Sequence, residues 1–576
     1  MPLPLVEIGP RPLTRDQIIA VARDNADVRV SEAALRAMGM GRMQLEALAA
    51  AGLPAYGLTT GVGALMNERV AQHQLAEIQQ ALVDSHAAGV GAPVEAETVR
   101  AMALLRLRTL ATGRTGVRPV IARALAGLLN AGLVPVVNEY GSLGCSGDLA
   151  PLAAVAAALT GRGHVLVQRE PHPIPPASVT PTASVTSTAS VTPTASVTPT
   201  ASVASAASNG LAASAASVTF AASGASARSG RVRPAAQALR EAGLSPVRLA
   251  QKEALALMNG TEGMLGMLIL TTADLRALLD VADLTAALSL QALHGTDRPF
   301  SAELQELRPH AGQAQAAAHL RALLAGSGLL RVHGDGTQDP YCLRCVPQVH
   351  GAARDALAYA LGVADRELAA CVDNPVLVDG RLESNGNFHG APLAHAMDFL
   401  AIVVADLAVM AERRTDRMLD RTRSQGLPPF LAARPGVDSG YMIAHYTQVS
   451  LVADLKRLAV PASVDSTPTS AGQEDHVSLG WSAGRKLRRA LELLRGVLGI
   501  EFVTAARAVE LRAPDRPAPA CQDAIDLLRT EVPGPGPDRH LAPDLAAAID
   551  LVTSPALLGI VSRPAADLLE ERSTHV

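Results

Sequence analysis

Aromatic side chains make up only 2% of this 576-residue chain, although 48% of it is hydrophobic. The core must therefore be built mostly from Ala, Leu and Val, which suits closely packed helices and points away from an all-β fold. Cysteine is scarce as well. The five present, at 145, 342, 345, 371 and 521, are too few and odd in number for a disulfide framework, and they suit reduced thiols in a cytoplasm. No basic block stands out among 50 Lys plus Arg against 54 Asp plus Glu, a net charge of -4, so nucleic acid is not an expected partner. The opening Met-Pro-Leu-Pro-Leu-Val-Glu-Ile lacks the basic and apolar regions of an export signal. The best membrane candidate, residues 399–410, is short and contains Asp406, so it predicts a buried helix and no membrane partner. No H-E-x-x-H is present, and the C-x-x-C at Cys342 and Cys345 has no second ligand pair, so no metal is expected.

Helical periodicity is plentiful. Apolar spacing predicts helices over residues 122–130, 275–293, 352–368 and 395–413, with Gly132, Gly295 and Gly362 as stops or kinks and Asp297-Arg298-Pro299 as a connection. From Pro171 to about Arg231 the composition changes to Ala, Ser, Thr, Val and Pro, and Ala-Ser-Val recurs every six residues from Ala177 to Ala201. Such small side chains bury too little surface to offset the entropy of ordering. The tract predicts a disordered surface insertion rather than a stacked solenoid. The chain then divides into an amino-terminal region (1–166), the tract (167–232) and a helical bundle region (233–576). An insertion is tolerated if its ends lie close together, since loop closure costs grow slowly with length.

Residues 141–151 read Gly-Ser-Leu-Gly-Cys-Ser-Gly-Asp-Leu-Ala-Pro. One reading is a turn with Asp148 as N-cap of an apolar helix over 149–159. A second reading is compatible with it. Side chains supply acids, bases and nucleophiles but no electron sink. Attack of the Gly147 nitrogen on the Cys145 carbonyl, with loss of one water from the ring and one from the Ser146 side chain, would make one from the backbone itself, a methylidene-imidazolone (MIO). Glycine, lacking a Cβ, suits the attacking position.

This stretch resembles the signature of the aromatic amino-acid ammonia-lyases: a small residue, then Ser-Gly-Asp-Leu, then Pro two residues on. Cys145 stands where most relatives have Ala, and its side chain only hangs off the finished ring. The resemblance extends from Tyr56 to about Arg512, apart from the tract. It implies a mainly α, fumarase/ammonia-lyase-like fold: a long-helix bundle with a smaller amino-terminal region, assembled as a homotetramer whose sites draw on several subunits. The implied cofactor is MIO from Cys145, Ser146 and Gly147, with no metal or pyridoxal phosphate.

Other blocks fit the same resemblance. Tyr56-Gly57-Leu58-Thr59-Thr60-Gly61-Val62-Gly63 is similar to the family's mobile loop, whose Tyr is the base; alone it reads as a glycine-rich turn. The usual tyrosine pKa of about 10 is high for a base at neutral pH, so neighbours would have to lower it or its proton would have to move within a network. In Gln338-Asp339-Pro340-Tyr341-Cys342-Leu343-Arg344-Cys345 the resemblance makes Arg344 the carboxylate grip, with Gln338 and Tyr341 lining the site. A guanidinium can hold a carboxylate through two parallel bonds. Asn259 would polarise the modified ring and Phe388 pack near it, and Asp148 would assist the dehydrations. His86, after Ser85, and Glu474, after Gln473, match the histidine-specific branch, where they bind an imidazole; phenylalanine enzymes carry an apolar pair and Gln at these places. Ala154 departs from the His common in relatives and reads as a packing difference. The implied reaction converts L-histidine to trans-urocanate and ammonia. The alternatives are a tyrosine or phenylalanine ammonia-lyase or aminomutase on the same scaffold, and a helical binding protein that has lost the chemistry.

Overall fold

In the computed structural model, residues 5–51, 56–168, 230–331 and 338–563 are described. Nearly all of the predicted insertion lies outside them. Five helices of the amino-terminal half position the site: α1 (Leu75–His86), α2 (Ala96–Ala111), α3 (Pro119–Asn130), α4 (Leu149–Leu159) and α5 (Glu253–Met258). The bundle follows, with α6 (Glu262–Ala292), α7 (Val346–Ala369), α8 (Ala391–Leu419), α9 (Met442–Leu458) and α10 (Gly480–Glu510). Helices α8 and α10 lie against each other and both pack on α6. One apolar core runs from Val6 to Val561 through both regions.

The bundle helices outrun their periodic stretches. Helix α6 starts at Glu262 rather than 275, because residues 262–272 are buried on every side. A helix apolar all round shows no amphipathic period to read. Helix α8 opens with a proline in its first turn, where the missing N–H costs nothing. It reaches 29 residues, so the membrane candidate is longer than expected; by length and composition it could span a bilayer, yet 67% of its most apolar stretch is buried. Gly362 neither stops nor kinks α7, which runs through it, since packing outweighs a glycine's cost of about 1 kcal/mol. Gly132, with φ +64°, does end α3, whereas after α6 the left-handed residue is His294 rather than Gly295.

Strands are short. Leu133–Pro135, His164–Val167 and Arg231–Pro234 form an antiparallel sheet in that order, in which Val167 is the register partner of Arg231. The chain therefore leaves for the tract and returns from it at neighbouring points.

Asp280, Asp283 and His319 are spaced as metal ligands could be. A guanidinium already serves them: Arg354 donates to Asp280 Oδ1 at 2.9 Å and Asp283 Oδ2 at 2.5 Å. His319 and His350 bond to Asp283 at 2.9 and 2.7 Å, so the group is a charge network tying α6 to α7. All five cysteines are free thiols.

Candidate active site

The chain turns tightly ahead of α4. Gly144 and Gly147 have φ of +68° and +74°, where L side chains are strained. Gly147 pairs with Gly260 in an isolated parallel bridge, and the Asp148 N–H donates to Gly260 O at 2.7 Å. A Cβ on Gly147 would lie 2.0 Å from that oxygen. Both the torsion and the close approach require glycine at this position.

Asp148 precedes α4 but makes no capping bond to it. Its Oδ2 accepts the Gly263 and Met264 N–H groups, each at 2.9 Å, and its Oδ1 takes the Ser142 hydroxyl at 3.0 Å. The expected N-cap of α4 thus caps α6 instead, because the fully buried carboxylate meets two N–H groups there that have no partner within their own helix. Burial pushes its pKa from 3.8 up to about 7, against these hydrogen bonds. Between those values the folded state holds a proton that the unfolded state has released. Stability relative to an Asp148→Asn variant should therefore fall as pH rises through this window, by of order 1 kcal/mol per pH unit. Denaturant unfolding of both proteins from about pH 4 to about pH 8 checks this, and a flat difference would count against it.

Glu474 reaches the tripeptide from the loop before α10. Its Oε1 accepts the Ser146 hydroxyl at 3.1 Å; its Oε2 accepts the Cys145 thiol at 3.4 Å and the Thr469 hydroxyl at 3.2 Å. Burial first, and then the Glu474 carboxylate, push the Cys145 pKa up to about 11, so the sulfur keeps its proton. His86 ends α1 with Nδ1 bonded to Leu82 O at 2.8 Å. A carbonyl can only accept, so Nδ1 carries the hydrogen. The segment after α1 abuts the tripeptide turn, since a Cβ on Gly141 would lie 3.1 Å from Gly89 Cα. Phe388, half-buried, stands two residues before Gly390, whose N–H donates to Gly144 O at 3.0 Å.

Tyr56 Oη accepts the Gly63 N–H at 2.9 Å. Burial and the Glu474 carboxylate outweigh that bond and push its pKa upward, contrary to the lowering a base would need. Asn259 follows α5 and is buried; its Nδ2 donates to Asn374 O at 3.1 Å, while Oδ1 has no partner among the described residues. Beneath it, the buried Arg106 donates to Asn259 O at 3.1 Å, Ala256 O at 2.8 Å and Glu262 Oε1 at 2.8 Å, fixing the connection between α5 and α6. Sequence reasoning missed Arg106, Ser142 and Thr469. Arg106 is one of three arginines on α2, with Arg100 and Arg108, so the sequence alone did not single it out. Ala154 is half-buried against the core in α4.

Gln338, Tyr341 and Arg344 do not join this group. They sit past the carboxyl end of α6, where Asp339 Oδ2 accepts the Thr296 N–H at 2.8 Å. Arg344 donates to Gln338 Oε1, and its guanidinium lies 4.7 Å from the centroid of the Tyr341 ring, itself 69% exposed. Gln338 and Arg344 line a cavity of about 390 Å³ with Thr296, Arg298 and Glu303. The tripeptide is fixed to the amino end of α6, whose 31 residues span about 46 Å. No side chain bridges that distance. The candidate residues therefore fall in two groups: Tyr56, His86, Cys145, Ser146, Gly147, Asn259, Phe388 and Glu474 at one end of α6, and Gln338, Tyr341 and Arg344 at the other.

Residues 13–224 and 185–530 match the model of the aromatic amino acid lyase family. The chain is 50% identical over 548 residues to a histidine ammonia-lyase of Streptomyces coelicolor, covering 94% of this chain and 95% of that one. It is 42% identical over 551 residues to a histidine ammonia-lyase of Anaeromyxobacter dehalogenans, with 95% and 98% covered. Among solved structures, a tyrosine aminomutase from Streptomyces globisporus superposes with a TM-score of 0.82 at 34% identity, over 97% of this chain and 99% of that one. A histidine ammonia-lyase from Trypanosoma cruzi does so with a TM-score of 0.80 at 30% identity, over 97% and 96%.

Proposed function

The chain belongs to the aromatic amino acid lyase family, and we propose that it eliminates ammonia from L-histidine to give trans-urocanate. The observation that carries this reading is the carboxylate of Glu474, held against Ser146 and Cys145. A charged acceptor there suits an imidazole N–H and would be left unpaired by a phenyl ring, a mismatch that such sites reject strongly. His86 adds a second polar contact for the same ring.

The tripeptide fits the implied cofactor. Gly147 is bare where any Cβ would collide, and the nearby Asn259 keeps a buried acceptor in reserve. The group formed from Cys145, Ser146 and Gly147 supplies the electron sink for the elimination. The remaining work falls to side chains. Glu474 and His86 orient the imidazole, Tyr56 takes the β-hydrogen, and the spare Asn259 acceptor fits an N–H of the substrate amine. Arg344 of the partner subunit holds the carboxylate, because the Arg344 of the same chain lies at the far end of α6. That separation supports sites shared between subunits, as in the homotetramer that the family resemblance implies. The upward shift of Tyr56 within one protomer likewise leaves its activation to groups brought by the partner.

Incubating the purified protein separately with L-histidine, L-tyrosine and L-phenylalanine tests the reading. Absorbance of urocanate should rise with histidine, at least about 100-fold faster than product forms from the other two, as expected when a polar pocket meets a ring that cannot pair with it. Turnover of tyrosine or phenylalanine without histidine would favour the aminomutase-like alternative suggested by the 34% identical structure.

A further inference from the structure

We infer that Cys145 and Thr469 are positioning residues that clamp Glu474 by one oxygen, and that maturation of the tripeptide releases the other oxygen to read the substrate ring. This rests on the proposed function and says how specificity is built into the same site.

The two oxygens of Glu474 have different partners. Oε2 is held by Thr469 Oγ1 at 3.2 Å and by Cys145 Sγ at 3.4 Å. Among the described residues, Oε1 takes only the Ser146 hydroxyl, at 3.1 Å. The loop carrying Glu474 is closed on itself, with the Thr469 N–H donating to Glu474 O at 2.8 Å and the Glu474 N–H to Thr469 O at 3.2 Å, so Thr469 anchors both backbone and carboxylate. Because the Cys145 pKa is pushed up to about 11, its sulfur is a proton donor across the range in which enzymes ordinarily work. A thiol is a weak donor, but a carboxylate strengthens any bond to it.

Ring closure treats the two ends of the carboxylate differently. The Gly147 nitrogen bonds to the Cys145 carbonyl carbon, whose oxygen leaves as water with the amide hydrogens of Ser146 and Gly147. The Ser146 Oγ then leaves as a second water, with its own hydrogen and the Ser146 Cα hydrogen. The partner of Oε1 is removed, whereas the Cys145 side chain and Thr469 take no part in either loss. Oε1 is left as an acceptor without a protein donor, and an imidazole N–H can take the vacated position. Before maturation the hydroxyl of Ser146 occupies Oε1. Substrate recognition and cofactor formation are thereby coupled at one carboxylate. The cysteine at 145 adds a donor that an alanine there could not provide.

The test uses binding as well as turnover. In a Ser146→Ala background, which cannot mature but lacks the competing hydroxyl, urocanate and cinnamate are titrated calorimetrically; cinnamate has the same side chain with a phenyl ring. Adding Cys145→Ala should weaken urocanate by about threefold, and adding Thr469→Val by about tenfold, as expected for a weak and an ordinary bond to a charged group. Cinnamate should change by less than about twofold in both. In the mature enzyme the same two substitutions should raise KM for histidine, and intact mass should still show loss of two waters. Equal weakening of both ligands, or no weakening of urocanate, would overturn the inference. A parent protein that retains both waters and does not turn over histidine would remove the underlying reading, and the inference with it.

Discussion

Ser146→Ala is expected to slow ammonia release from L-histidine by about 10³-fold or more, equivalent to about 4 kcal/mol or more of barrier. The hydroxyl it removes is the atom that must depart for the backbone to become an electrophile, and no other side chain near the tripeptide offers a sink. Its structural role is small, because Ser146 Oγ makes one hydrogen bond, to Glu474, worth about 1 kcal/mol. Loss of activity should therefore come without loss of fold. Intact mass gives an independent readout: the parent should weigh two waters less than its sequence, and the variant should not. Urocanate released by the variant at the parental rate would remove the basis of the mechanism.

The second large effect concerns pairs of defective chains. Tyr56→Phe removes the proposed base and Arg344→Ala the carboxylate grip, and each is expected to lower kcat/KM by about 10²-fold or more. Produced together in one cell, the two chains should regain activity. Tyr56 lies at the amino end of α6 with Glu474 and the tripeptide, and Arg344 lies beyond its carboxyl end, about 46 Å away along the helix. A site can then draw each residue from a different chain, and random assembly of equal amounts leaves about one site in four with both intact. Mixtures no more active than their components would show that the two groups do not meet between subunits.

The motifs were legible because they are local. Residues 149–159 form the helix their composition predicts, and the glycines around the tripeptide stand where the backbone turns too tightly for a side chain. What escaped the sequence was set by packing across the chain. Asp148 looks like a cap for the helix it precedes, and only the fold reveals that α6 presents its N–H groups to the same carboxylate. The start of α6 was hidden because a segment buried on all sides carries no polar face to mark the period. Arg344 was singled out by its motif, yet spacing in sequence gives no hint that a long rigid helix holds it away from Ser146. Thr469 gave no sign at all, since its bond to Glu474 depends on how one short loop closes.

The strand pairing of Val167 with Arg231 reaches beyond this enzyme's chemistry. Because the two ends of the low-complexity segment are stitched side by side, the catalytic scaffold sees only a fixed seam, whatever is spliced into it. Mutation can lengthen, shorten or rewrite that stretch at little cost to the fold, so this edge of the molecule is a place where lineages can acquire new sequence while the ancestral reaction carries on.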